Sequence, residues 1–502
     1  MRSSSLGRRS LAVVAILLAL GAGPAFAARS NWREMTLGHF QLYSTLSDSR
    51  TREVARQLQA FEQTVGLVLK TEDPLPDVPT YIYLLDSDDY QQYAAPHPGT
   101  GGFFAPGPIA NRIVIDGAQD FGWIKTTVFH EYTHFIQRST KTGILPPWYV
   151  EGYAEIFGSF RLVGDTVVLG EPPRSLQEAT QNWIPIERLL AVKHSDPEYR
   201  AEKLMPQFYG ESWALVHLLL FDNEKLRFPT DRYLDSLSVG APEDASFKHA
   251  FPFDKATLDT MVRKVLHQNT TAIRKLKFKT LPEIDSAPVM PLTPAQADAE
   301  MARLVFSLGK PPSIVDPMIT AAVADAPGDL STKALAARIK SYEGGQVDIP
   351  ALSALATAPD ATPRVRIDVA EALLSKGGTP EAAKAVLGIL DDVVRSDAPP
   401  IEALWWWARA AEMQTVAAST VVAVLEPALR RTPHNTMFLK QLAFACEQLG
   451  NKGKARDYYN RIILVSDFAP ERLWAQKQAD SARLQSDVPP ASAAGSIPAT
   501  SH

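Results

Sequence analysis

The 502-residue sequence holds a single cysteine, Cys446, so no intramolecular disulfide can form. It has no basic excess: 51 Lys and Arg stand against 56 Asp and Glu, a net charge of −5, which argues against nucleic acid as a partner. Beyond the first 27 residues no apolar run approaches the ~20 residues a membrane-spanning helix needs. Phosphate-binding loops, dinucleotide fingerprints and nucleophile elbows are missing too. A lone cysteine inside a helical segment reads as packing, not as a nucleophile. Proline is plentiful instead, at 38 residues. Apolar residues at 45% and charged residues at 21% describe a globular chain with ample core material, too long for one compact domain.

Residues 1–27 have the layout of a secretory signal. Arg2, Arg8 and Arg9 make a positive start, Leu11 to Leu20 is an unbroken apolar run, and Ala25-Phe26-Ala27 is a small-x-small cleavage site. The run is about half the ~20 residues of a spanning helix, so it reads as a cleaved signal and not as an anchor. Its removal takes three arginines and no acid, moving the net charge from −5 to −8. The expectation is a periplasmic or secreted protein with no transmembrane span after processing, stable without disulfides.

Residues 28–280 mix strand and helix signals. Phe40 and Leu42 lie in a short alternating strand. Val54, Leu58, Phe61, Val65 and Leu69 recur at helical spacing behind a Ser47 or Asp48 cap. Tyr81 to Leu85 and Ile113 to Ile115 read as buried strands. One helix is expected from Asp120 to about Arg138 and another from about Trp148 to Phe157. A hairpin over 161–169 should turn at Gly164-Asp165. Helical patterns follow near 184–193, 206–221, 231–237 and 254–267. A basic, Pro-containing strip then leads to a linker at 281–295.

Residues 296–485 are rich in Ala and Leu and poor in strand signals, with helical segments recurring between 331 and 465 as in stacked helix pairs. Leu439, Leu442, Ala443, Cys446, Ala455, Tyr459 and Ile462 fall where tetratricopeptide repeats place packing residues, with Gly450 at the turn. Residues 486–502, rich in Ser, Ala and Pro, read as a disordered tail. The predicted fold class is therefore α+β: a mixed sheet with helices, followed by an all-α helical-repeat domain.

The chemistry concentrates in Phe129-His130-Glu131-Tyr132-Thr133-His134. On a helix, His130 and His134 are four residues apart and project from one face, so their imidazoles can take adjacent corners of a tetrahedral metal site. Glu131 is turned ~100° away, placed to reach a water on the metal and not the metal itself. A catalytic zinc needs a third protein ligand and one open position. Pro146-Pro147-Trp148-Tyr149-Val150-Glu151-Gly152-Tyr153-Ala154-Glu155 follows, with Glu151 and Glu155 again one turn apart. One carboxylate can bind metal while the other accepts the remaining N–H of a ligand histidine and sets its tautomer.

These two segments together resemble the gluzincin metallopeptidases of the thermolysin and aminopeptidase N clan, and most of all the peptidase MA-like domains of bacterial exported proteins. The resemblance covers about residues 30–280. It implies that Glu151 is the third zinc ligand and that Glu155 supports a histidine from behind. Sixteen residues separate His134 from Glu151, fewer than in thermolysin or aminopeptidase N, with Pro146-Pro147 as a stiff turn. The resemblance further implies an edge strand that holds substrate backbone, either 101–105 or the strand around Ile113. It also implies a donor to the oxyanion, the role that falls on Tyr209. His217, His97, His194, His249 and His267 read as structural. Trp405-Trp406-Trp407 sweep ~200° of a helix, so one ring should face away from the core and offer a docking surface.

The function expected is that of a zinc-dependent hydrolase acting on peptide or protein substrates. His130, His134 and Glu151 would hold Zn2+, Glu131 would serve as base and then acid, and the repeats would present substrate or a partner. The alternative is an envelope scaffold working through its repeats, with an inactive or structural zinc domain.

Overall fold

Six strands form the main sheet of the computed structural model, in the order β4-β5-β3-β2-β1-β9. They are β1 (Arg33–Leu37), β2 (Phe40–Ser44), β3 (Thr80–Leu85), β4 (Gly102–Ala105), β5 (Asn111–Asp116) and β9 (Val289–Pro291). β2, β3 and β5 run parallel, while β4, β1 and β9 each pair antiparallel with their neighbours. A second sheet joins β6 (Arg161–Val163), β7 (Thr166–Leu169) and β8 (Arg274–Lys277). The structure describes residues 31–486 apart from 70–77, 98–99, 108, 120, 141–144, 202, 268–272, 279–283, 285, 345–346 and 467. The expected signal at 1–27, the tail beyond Ser486, the Asp120 cap and most of the loop after Lys70 lie outside the described residues.

Every residue of β3 is buried, as a strand covered on both faces must be. Alternation divides the sheet's side chains. Leu42, Ile82, Leu84, Ile113 and Ile115 face one layer with Val54, Leu58, Phe61 and Val65 of α1 (Asp48–Leu69) and Val128, Phe129 and Tyr132 of α2 (Phe121–Thr140). Phe61 stacks on Phe129 with ring centroids 4.2 Å apart. On the other face, Tyr43, Tyr81, Tyr83 and Val114 meet Met301, Leu304 and Val305 of α5 (Pro294–Ser307) and Val315 and Met318 of α6 (Pro312–Asp325). The architecture is thus α+β, a mixed sheet near the N-terminus with a long all-helical region after it.

Two helices complete the site region: α3 (Pro147–Gly158) and α4 (Met205–His217). α4 runs on into a π-helical turn, Leu218–Asp222. The hairpin β6–β7 turns where expected, with Gly164 at φ +61°, a conformation an L side chain resists. Strands β8 and β9 arise from stretches that composition marks only as basic strip and linker; β9 pairs with Arg33–Met35 of β1.

The C-terminal helices include α7 (Leu330–Glu343), α8 (Pro363–Leu374) and α9 (Ile401–Met413). They share one core running from Ala334 to Ala479. Leu439, Leu442, Ala443, Cys446, Ala455, Tyr459 and Ile462 are all buried in it, and Gly450 sits at φ +75°. Trp406 and Trp407 are buried, while Trp405 is half-buried and lines a groove of about 220 Å³ with Phe135, Arg138 and His434. The His434 Nδ1 lies 2.5 Å from the Arg138 carbonyl, which ties the end of α2 to the C-terminal helices.

Candidate metal centre

Helix α2 presents His130 and His134 on one face, with their rings at 86° and their Nε2 atoms 3.1 Å apart. Pro146 is extended at φ −69° and ψ 144°, and Pro147 opens α3, where the missing N–H of proline costs nothing. That turn brings Glu151 back against α2. Its Oε2 lies 3.3 Å from the Nε2 of each histidine. Among the described residues, these three side chains form the one group able to hold a metal.

The triangle has the dimensions of a metal site. Ligands of a tetrahedral ion at ~2.0–2.1 Å are spaced ~3.3–3.4 Å apart, close to the observed 3.1, 3.3 and 3.3 Å. Glu151 is 2% exposed, and its Oε2 is buried without a hydrogen-bond donor. A buried carboxylate oxygen in that state is costly unless a cation serves it. The residues therefore fit a metal ion.

The surroundings orient the ligands. His130 Nδ1 lies 3.3 Å from Glu155 Oε1, so Nδ1–H donates to the carboxylate and Nε2 is left with its lone pair toward the centre. Ser175 Oγ donates to Glu155 Oε2 at 3.2 Å. Tyr199 Oη donates to Glu151 Oε1 at 2.8 Å. No periodicity or motif singles out Tyr199 or Ser175 in the sequence, because one arrives from the short helix Pro197–Arg200 and the other from a turn, both brought in by the fold.

Electrostatics favour a positive charge at this point. Burial lowers the pKa of His130, but the nearby carboxylates of Glu151 and Glu155 outweigh it and push the pKa up to about 10. Burial raises the Glu151 carboxyl, yet His130 and His134 hold it well below the usual carboxylate range.

Glu131 is half-buried on the next helical position and makes no ion pair or hydrogen bond among the described residues. Its charge adds to the burial that raises the pKa of the Tyr199 and Tyr209 hydroxyls. Tyr209 stacks on His130 at 5.9 Å. Burial, then Glu151, then other neighbours including Glu131 raise its pKa, so the hydroxyl stays a donor. His217 is fully buried, with Nδ1 3.1 Å from Asp222 Oδ2, and takes no part in the cluster. His194 packs edge-on against Tyr199 at 4.8 Å.

Of the two strands expected to hold substrate, β5 is enclosed between β4 and β3, while β4 lies at the sheet's edge. Asp116 N–H donates to the Gly101 carbonyl at 2.9 Å. The antiparallel alternation then turns the main-chain groups of Gly102 and Phe104 outward. Phe104 packs on Tyr132 and Phe135 of α2, which fixes this edge beside the metal-ligand helix. Comparison with known protein families, with curated proteins and with solved structures finds no match for this chain.

Proposed function

We propose that this chain is an exported zinc metallopeptidase, with residues 28–280 hydrolysing peptide bonds and the later helices binding substrate or partner proteins. The observation that supports this reading is the triangle of His130 Nε2, His134 Nε2 and Glu151 Oε2, with sides of 3.1, 3.3 and 3.3 Å and Glu131 on the adjoining position. Two imidazole nitrogens and one carboxylate oxygen are the donor set of catalytic zinc sites that keep a position open. Zinc held there supplies a water acidified toward pKa ~7 and polarises the substrate carbonyl.

The protein's own groups do the remainder. Glu131 takes a proton from the attacking water and hands it to the departing amine. Tyr209 donates to the substrate oxygen as that oxygen gains charge. The outward groups of Gly102 and Phe104 pair with an extended substrate backbone. Glu155, Ser175 and Tyr199 keep the ligand histidine and carboxylate in their orientation.

The test is metal content of the purified mature protein, followed by cleavage of casein and a mixed peptide library with and without chelator. Glu131→Gln should retain one zinc per chain and lose turnover by about 10²–10⁴-fold, the usual weight of a general base. Full activity in that variant overturns the mechanism. Stoichiometric zinc with no cleavage by the wild type favours the scaffold reading instead.

A further inference from the structure

We propose that a cavity between the second face of the main sheet and the C-terminal helices binds a small oxyanion, of phosphate or carboxylate type, through Arg112, Arg338 and Arg364. The site is distinct from the metal centre and does not rest on the peptidase reading.

In β5, Arg112 pairs in register with Tyr81 of β3. Neighbours in register point to the same face, and that face is the one covered by the C-terminal helices. Arg112 lines a cavity of about 80 Å³ there, together with Arg338 of α7, Arg364 and Glu371 of α8, and Glu402 of α9. The space is several times the ~10–15 Å³ that one water requires.

The other charges around it pair with one another and leave Arg112 apart. Glu371 is already held by Arg338 Nε at 2.7 Å and by the Tyr342 hydroxyl at 3.1 Å. Glu402 is held by Arg364 at 3.0 Å and by the Tyr81 hydroxyl at 2.7 Å. Asp368, just behind, takes two bonds of 2.8 Å from Arg303 and one of 3.2 Å from Arg338. Arg112 has neither a carboxylate nor a hydrogen-bond acceptor among the described residues. The lining therefore carries three guanidinium groups against two carboxylates, both committed. Burial and the nearby charges of Arg338 and Arg364 disfavour the charged form of Arg112, so its cation sits where it needs an anion.

A half-buried guanidinium without a counter-ion is costly. Its planar fork matches two oxygens of a carboxylate or phosphate. An oxyanion seated on Arg112, and reached by Arg338 and Arg364 from the opposite wall, would tie β5 to α7 and α8. Gly107 lines both this cavity and the groove at the end of α2, so occupancy would be felt along the whole seam between sheet and helices.

The mature chain should be titrated calorimetrically with inorganic phosphate and, separately, with acetate, at an ionic strength fixed with chloride so that general screening is constant. Thermal unfolding is followed in the same solutions. The expected result is saturable one-to-one binding with a matching rise in melting temperature. In Arg112→Gln the binding should weaken at least about tenfold, the weight of one charge-assisted hydrogen bond. Arg112→Lys, which keeps the charge and loses the fork, should fall between. Preference for phosphate or for acetate identifies which oxyanion the cavity takes. No saturable binding of either by the wild type overturns the proposal. So does an Arg112→Gln protein that binds as the wild type does, since the ion then sits elsewhere, the metal centre included.

Discussion

The hydroxyl of Tyr199 occupies one oxygen of Glu151 at 2.8 Å, which leaves the other oxygen alone to face His130 and His134. That division leaves Glu151 a single oxygen to offer to a metal ion. Tyr199→Phe should therefore weaken metal affinity by about 10–100-fold, the range seen when such supporting bonds are removed, while the fold stays intact. Competition against a chromophoric chelator measures this; an unchanged affinity would reduce Tyr199 to a packing role. His130, His134 and the two glutamates are legible in the sequence because each pair sits one helical turn apart. Tyr199 and Ser175 are not, since each lies on another element and meets its partner through the chain's path in space.

Between elements, glycine decides how close the site helices come. A Cβ on Gly152 of α3 would lie 2.2 Å from the Ser212 carbonyl oxygen and 2.7 Å from Val216 Cγ2 on α4. One on Gly210 would lie 2.4 Å from the Ser175 carbonyl oxygen. These approaches seat Tyr209 against His130 and Ser175 against Glu155. Gly152→Ala gains helix propensity but must push two backbones apart, and the expected net loss is about 1–3 kcal/mol. Gly388 lies exposed in the helix Pro380–Val394, with nothing within 4 Å of a new Cβ. Gly388→Ala should instead stabilise by up to ~1 kcal/mol. Urea midpoints of the two variants must move in opposite directions for this account to stand. Helices with clear periodicity, such as α1 and α2, are legible in the sequence. The helices α5 and α6 and the strands β8 and β9 are not, because proline and basic residues mask segments whose burial comes from the main sheet and its neighbours.

At the scale of the whole molecule, the sheet has two covered faces, and the second belongs to helices that follow residue 293. Tyr43, Tyr81, Tyr83 and Val114 are buried in a core to which α5, α6 and α7 contribute. The Tyr81 hydroxyl bonds Glu402 across 321 residues of chain. A chain cut to residues 28–293 should consequently expose an aromatic face, bind a hydrophobic dye and aggregate, while the chain from residue 28 to its end does not. Size-exclusion chromatography of both chains checks this, and a soluble monomeric fragment with cooperative unfolding would show that the first half folds alone. The C-terminal helices are thus part of the structural frame that holds the sheet behind His130, His134 and Glu151.

Helical spacing, the proline turn and strand alternation act over a few residues, so the sequence alone determines the α2 histidine pair, the α3 glutamate pair, the buried β3 strand and the mixed α+β class. The tertiary structure alone decides that Glu151 meets both histidines while Glu155 stands behind one. It also decides that β4 lies at the sheet's edge, and that Arg112 lies among two other arginines. Each of these depends on distances between segments far apart in the chain, and packing sets those distances where local preference cannot.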